Sequence, residues 1–487
     1  MNDVSTPAAS GHGRHELRGL RQLPGSRLPQ GRFGRMFPHL PALHLSDGQL
    51  DAVAGVMAEV DARDPAGDND RIPSGYTYLG QFVDHDLTFD PVSSLTRQAD
   101  PDALVDFRSP RFDLDNVYGR GPADQPYLYD FDAPGRLLVG RHDDELDLPR
   151  NEQQVALIGD PRNDENVFVS QLHLTMQLFH NQVIDRLDEF PEQARPDETR
   201  FTTAQRIVRW HYQWLVVHDF LRRIVGDATL GDVLREEPLI GGGRPVEQVR
   251  LRFFRWRNDA FMPVEFSVAA YRFGHSMVRA RYSLNTFVSG LPIFTSASSR
   301  AEPLAHFGGF RQLPPHWQIE WRRLFPLAGA DPALVQPARL IDTRLAPPLL
   351  NMPPEQVASG TRNLALRNLT RGVRLGLPSG QDVARLMGLP VLTAAELELP
   401  EPGPAPLWYY LLREARLIAE GRHLGPAGGR IVAEVILGLL SQDPGSYLRV
   451  EPGWRPFLPS AVAGDFTMPD LIAFTGFGLD EVTGPAS

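Results

Sequence analysis

The chain has 487 residues, a formal net charge of −11 and no cysteine. Hydrophobic residues make up 42% and charged residues 22%, the balance of a soluble globular protein. The acidic balance excludes a general nucleic-acid binder, which needs a basic footprint. The missing cysteines exclude disulfides, thiolate ligands and thiol nucleophiles, so a metal would be left to histidine, carboxylate or carbonyl.

In chain order, residues 1–35 read as an arm or tail. Six arginines stand there against two acids, with no apolar period and no apolar run of the kind a secretory signal needs. That leaves a cytoplasmic location and export without a leader both open. Residues 50–60 read as a short amphipathic helix with Ser46 and Asp47 as cap candidates, and Ser74 is the expected N-cap of the next helix. Apolar residues at three- and four-residue spacing predict helices over 166–187 (Phe168, Leu172, Met176, Phe179, Val183) and 203–225 (Ile207, Trp210, Trp214, Val217, Leu221). A third is expected over 263–282, opening on Pro263. Further helices are expected near 359–373, 380–387, 408–421 and 430–440, and one strand near 248–254. The run 431–440 is interrupted by Glu434 and too short to span a bilayer. With no internal repeat and no linker that would cut the core, the expectation is one large, mainly α domain over 36–487 with few short strands.

Five stretches carry polar residues that a helical core does not explain. The first is Gly80-Gln81-Phe82-Val83-Asp84-His85-Asp86-Leu87-Thr88. On a helix each residue turns roughly 100° from the last, so Gln81 and His85 share a face while Asp84 and Asp86 point elsewhere. Burying an imidazole and two carboxylates without partners is costly, so something must sit against them. The second is Gly159-Asp160-Pro161-Arg162-Asn163-Asp164-Glu165-Asn166 at a helix N-terminus, where acids favour the dipole. Simple capping accounts for it, except that Arg162 and Glu165 share a face. The third is Tyr271-Arg272-Phe273-Gly274-His275, with Arg272 and His275 three apart among apolar neighbours. The fourth is Ser109-Pro110-Arg111-Phe112-Asp113-Leu114-Asp115, whose alternating oxygen donors suit a hard cation, although acidic loops are usually just solvated. The fifth is Asn368-Leu369-Thr370-Arg371.

Taken together and in this order, the five stretches resemble the peroxidase–cyclooxygenase superfamily, the animal-type haem peroxidases with bacterial members, over residues 80–378. The resemblance implies a helical peroxidase domain holding haem b, with His275 as proximal iron ligand and Asn368 on its second ring nitrogen. Arg272 and Arg371 would neutralise the haem propionates. His85 would be the distal base towards hydrogen peroxide, Arg162 would polarise the O–O bond, and Gln81 would hold distal water or a halide. The implied product is a ferryl haem radical that oxidises halide, thiocyanate or an aromatic donor. Asp84 and Glu165 match the two carboxylates that form ester bonds to haem. Asn166 stands where a member with a third, sulfonium link carries methionine, so that link is not expected. Asp86, Ser109, Asp113, Asp115 and the carbonyl of Arg111 match a calcium site. The pattern usually has Thr at the position of Ser109 and an aromatic residue at that of Arg111.

Three rival readings are weighed beside this one. A fatty-acid dioxygenase-like enzyme needs a tyrosine three residues before the proximal histidine, where this chain has Arg272. A non-catalytic haem-binding or adhesion protein would have no reason to keep Gln81, His85, Arg162 and His275. A metal-dependent hydrolase built on Asp84, His85 and Asp86 would need further ligands at short spacing, which that helix does not offer.

Overall fold

The computed structural model describes residues 33–88, 110–142, 145–238, 244–256, 260–357 and 360–482. Helix α1, Asp47–Gly55, starts three residues before the expected 50–60 segment because Ser46 and Gln49 form a reciprocal capping box. Helix α2, Gly75–Leu87, carries the Gln81–His85–Asp86 stretch. Ser74 does not cap it through its side chain. The start of α2 is buried instead, with Ser74 N–H donating to Gln336 (2.8 Å) and Gly75 N–H to Leu324 (3.0 Å). A Cβ on Gly75 would lie 2.4 Å from the Phe325 ring, so only glycine allows this approach.

Helix α3, Val167–Asp185, opens on Asn166, whose side chain accepts from the N–H groups of Phe168 and Val169. Helix α4, Arg200–Leu215, runs on through a π-helical turn, Val216–Leu221, into Arg222–Val225, so the segment expected at 203–225 is continuous but locally widened. After it come α5 (Leu364–Arg374), α6 (Gly380–Met387), α7 (Leu407–Ile418), α8 (Pro426–Gln442) and α9 (Met468–Thr475). Helix α3 packs against α2, α4 and α9, and α7 packs against α5, α6 and α8. Phe82, Val83, Phe168, Phe179 and Trp210 fill one continuous core between them. Each such side chain contributes roughly 1.5–3 kcal/mol by leaving water.

Strands are short and paired only in twos among the described residues. The strand expected over 248–254 is confined to Val246–Val249, paired with Leu234–Glu237. Beyond it the N–H groups of Arg252, Phe253 and Phe254 donate to the Glu434 carboxylate at 2.7–3.0 Å, so that segment needs no strand partner. Only the last residues of the stretch read as an arm or tail, 33–35, are among the described ones. Phe33–Gly34 pairs with Met262–Pro263, and the Arg35 guanidinium donates to the carbonyls of Leu375 and Gly376.

The one long helix that does not form is 263–282. A single α turn, Val264–Ser267, is broken at Ala269 (φ −128°, ψ −71°) and followed by a 3₁₀ turn, Ala270–His275. The carbonyl of Ser267, released from the helical ladder, accepts from Arg272 Nε at 2.9 Å. Residues three apart eclipse in a 3₁₀ turn, so Arg272 and His275 project together. Among the described residues no helix is long and apolar enough to cross a membrane.

Candidate active site

A cavity of about 400 Å³ opens between α2, the turn preceding α3, the 3₁₀ turn Ala270–His275 and α5. It is lined by Gln81, Asp84, His85, Arg162, Glu165, Arg272, His275, Asn368 and Arg371, which brings four of the five stretches onto one space.

His85 is 4% exposed, and Asn163 accepts from it, with Oδ1 2.8 Å from Nδ1. The amide nitrogen of Asn163 in turn lies 2.9 Å from Nδ1 of His173. With its proton committed to Asn163, the His85 ring presents an unprotonated Nε2 to the cavity. Burial lowers the His85 pKa to about 4, aided by the Arg162 guanidinium, so the ring is neutral near pH 7. Arg162 is aimed by Asp160, whose carboxylate accepts from Nη2 at 2.8 Å, and by the carbonyls of His85 and Thr88.

Glu165 faces the same side as His85. Its carboxylate accepts from the Gln81 amide and stands 3.9 Å from Nε2 of His85. The Gln81 carbonyl accepts from Asn166 at 3.0 Å, so its amide is engaged at both ends. Burial raises the Glu165 pKa to about 7. Asp84, one residue before His85, lines the cavity beside them.

On the 3₁₀ turn, His275 is held neutral, with its pKa pushed down to about 3 by desolvation and by the neighbouring Arg272. The Asn368 amide lies 2.8 Å from Nδ1 of His275. Turning that amide by 180° exchanges its nearly isosteric ends and puts the oxygen on Nδ1–H, which frees Nε2 as a ligand. Arg367 lines the cavity beside Arg371 and Arg272, adding a cation to the two expected.

Asp86 goes elsewhere. One carboxylate oxygen from each of Asp86, Asp113 and Asp115 lies within 4.8 Å of the other two. Three carboxylates this close repel one another unless a cation or protons intervene. Arg111 belongs to the same loop, its guanidinium 3.9 Å from Asp443, while Ser109 lies outside the described residues. Asp86 is therefore grouped apart from Asp84 and His85, against a hydrolytic centre made of all three.

Sequence reasoning passed over Asp160, Asn163 and His173, which orient Arg162 and His85. The first two stood in the quoted Gly159–Asn166 stretch, where capping explained them sufficiently. His173 is a polar residue buried on a helix face, a signal too common to single out.

Two neutral imidazoles, each within hydrogen-bond distance of an asparagine through Nδ1, share one cavity with several arginines in a mainly helical fold. Residues 93–399 match the profile of animal haem peroxidase, more than half of the chain, and the protein belongs to that family. The matched span begins after the His85 stretch. The family implies haem, hydrogen peroxide and a donor substrate. A peroxidase-like protein from Margaritifera margaritifera is 26% identical over 276 residues, covering 44% of this chain and 32% of that protein. Chorion peroxidase from Drosophila melanogaster is 25% identical over 264 residues, covering 54% and 30%. The chain thus spans about a third of the length of these relatives. Among solved structures, peroxidase A from Dictyostelium discoideum matches 96% of this chain and 98% of its own at a TM-score of 0.63 and 15% identity. The fatty acid alpha-dioxygenase of Oryza sativa matches 83% and 76% at 0.53 and 16%. At these identities the likeness is one of fold.

Proposed function

We propose that the chain binds haem b in the 400 Å³ cavity and uses it to reduce hydrogen peroxide at the expense of a small anionic or aromatic donor. The observation that carries this reading is the pairing of His85 and His275 on one cavity, each neutral and each bonded through Nδ1 to an asparagine. The fit to haem is chemical: a neutral imidazole to ligate iron, and Arg272, Arg367 and Arg371 to meet two propionates. Haem, when bound, accepts the oxidising equivalents of peroxide and passes them to the donor.

The chain's own residues move the protons. His85 Nε2 takes a proton from peroxide and returns it to the departing oxygen, for which it must be neutral at rest. Arg162, held by Asp160, stabilises the charge that develops as the O–O bond separates. Gln81 and Asn166 line the space where distal water or a halide would sit. Asp84 and Glu165 are the candidates for ester bonds to haem. A carboxyl already held at about 7 loses little charge on esterification, which supports that role for Glu165. Asp86, Asp113 and Asp115 would hold calcium, with Ser109 and the Arg111 carbonyl completing an oxygen shell.

Dioxygenation is the weaker reading. Arg272 stands at the third residue before His275, and Tyr271 donates its hydroxyl to the carbonyl of Gly80 at 3.2 Å. The decisive experiment is an absorption spectrum of the haem-loaded chain followed by peroxide-dependent oxidation of guaiacol. A Soret band with turnover that His85→Ala lowers by about 10²–10⁴-fold is expected. No Soret band, or turnover indifferent to His85, would sink the proposal.

A further inference from the structure

A second cavity, of about 620 Å³, lies beside the segment that leads into α2 and is bounded by Arg71, His218, Asp219, Arg223, Arg422 and His423, among others. Among the described residues the Arg71 side chain has no ion-pair partner, and it is exposed. The His218 ring lines the cleft and is backed by Trp214, stacked on it with centroids 3.7 Å apart.

One side chain joins the two cavities. Tyr76 is completely buried and forms part of the wall of the first cavity. Its hydroxyl lies 2.8 Å from both carboxylate oxygens of Asp219, a residue of the second. Arg223, also in the second cavity, pairs with Asp219 at 2.8 Å and places its guanidinium 4.6 Å from the centre of the Tyr76 ring. Asp219 and His218 stand on the π-helical turn Val216–Leu221, a local widening of the kind that recurs at functional sites. Holding the start of α9 requires only the bond from Met468 N–H to Asp219 (2.9 Å), and that does not explain a phenol directed from one cavity towards the other.

We propose that the second cleft is a docking site for bulky anionic aromatic reductants, and that Tyr76 with Asp219 relays their electrons to the haem cavity. This rests on the peroxidase reading above. In the step, Tyr76 gives one electron to the peroxide-oxidised haem, and its phenolic proton moves to a carboxylate oxygen of Asp219. The docked reductant then gives one electron to the tyrosyl radical, and Asp219 returns the proton, so that Tyr76 is restored and the reductant leaves oxidised by one electron. Reductants too large for the first cavity are thereby served without entering it, while small anions react inside.

The test uses the haem-loaded full chain with two donors, iodide and the bulky dianionic dye ABTS. Arg71→Glu should raise KM for ABTS about fivefold at low ionic strength by reversing a charge at the cleft, and leave iodide oxidation unchanged. Freeze-quenched electron paramagnetic resonance after peroxide addition, with ring-deuterated tyrosine to mark the signal, should show a tyrosyl radical that Tyr76→Phe largely removes. An undiminished radical in Tyr76→Phe, or ABTS kinetics indifferent to Arg71→Glu, overturns the relay while wild-type iodide oxidation still stands for the peroxidase. A wild type without haem binding or iodide oxidation overturns both. Arg71 is exposed, so its variant reports on the cleft even if Tyr76→Phe does not fold.

Discussion

His85 and Asn163 are joined by a 2.8 Å hydrogen bond from Nδ1 to Oδ1, and that bond determines which nitrogen of the imidazole faces the cavity. Asn163 is itself fixed by His173 at 2.9 Å, so the tautomer of the base is set by a residue ten positions away in α3. Removing the acceptor frees the ring to turn and to protonate the wrong nitrogen. Asn163→Ala should slow the reaction with peroxide by about 10–100-fold, with helicity by circular dichroism unchanged. Asn163→Asp should act differently. A carboxylate on Nδ1 favours the imidazolium, raises the His85 pKa above about 4, and moves the acid limb of the peroxide rate profile to higher pH. Stopped-flow rates across pH check both, and an unmoved profile in Asn163→Asp would refute the role given to the bond.

Covalent attachment makes a separate prediction. Glu165 and Asp84 line one cavity, and the Glu165 carboxyl sits at a pKa of about 7 because burial disfavours its charge. After peroxide treatment, acidified acetone should leave haem on the wild-type protein. Glu165→Gln should retain one attachment and the Asp84→Asn, Glu165→Gln double variant none, read from the mass of haem-bearing peptides. Complete extraction from the wild type would show that the esters do not form.

The carboxylate triad predicts a metal dependence of stability. Asp86 is on the same helix as His85, so a cation on Asp86, Asp113 and Asp115 ties the distal helix to the loop that follows it. Calcium in hundredfold excess over its Kd should stabilise the fold by about 2.7 kcal/mol. Thermal melts with calcium and with EDTA should therefore differ, and Asp113→Asn should narrow the difference. Coincident melts in the wild type would rule the site out.

How much of this was legible in the sequence depends on whether the signal was local. The helices at 166–187, 203–225 and 380–387 were readable because an apolar stripe at helical spacing needs only its own residues. The 263–282 segment has the same spacing and is not a long helix: its backbone carbonyls find partners outside a helical ladder, Ser267 from Arg272 Nε and Arg272 from Trp408 Nε1 at 3.2 Å. The strand expected at 248–254 failed for a similar reason: Glu434, some 180 residues away, satisfies its backbone. In the site, Gln81 and His85 stood out by sharing a helix face, Arg162 by sharing one with Glu165, and His275 by standing three residues after Arg272, and the family resemblance gave them their roles. Their partners Asn163, Asp160 and His173 did not, since an amide or acid at a helix start already has a sufficient explanation in capping.

Glu414 makes a prediction about pH and stability that is independent of haem. It lies on α7, 1% exposed, and accepts from the N–H groups of Ala427 and Gly428 at 3.0–3.2 Å at the start of α8. Desolvation outweighs those bonds and raises its pKa to about 7 from an ordinary 4.5. Between these values the folded chain holds a proton that the unfolded chain has released. This contribution is therefore fully present below about 4.5 and is lost as pH rises through about 7, a change of about 3 kcal/mol. Buried His180 and His211 act in the opposite sense: burial lowers them to about 4 and about 3, so the fold loses stability as pH falls below 6.5. The two effects overlap in the wild type, and Glu414→Gln separates them. Urea midpoints at about pH 5 and about pH 8 should show the change in stability towards the higher pH to be less favourable in the wild type than in Glu414→Gln. Parallel changes in the two proteins would mean that Glu414 is ionised in the fold throughout this range.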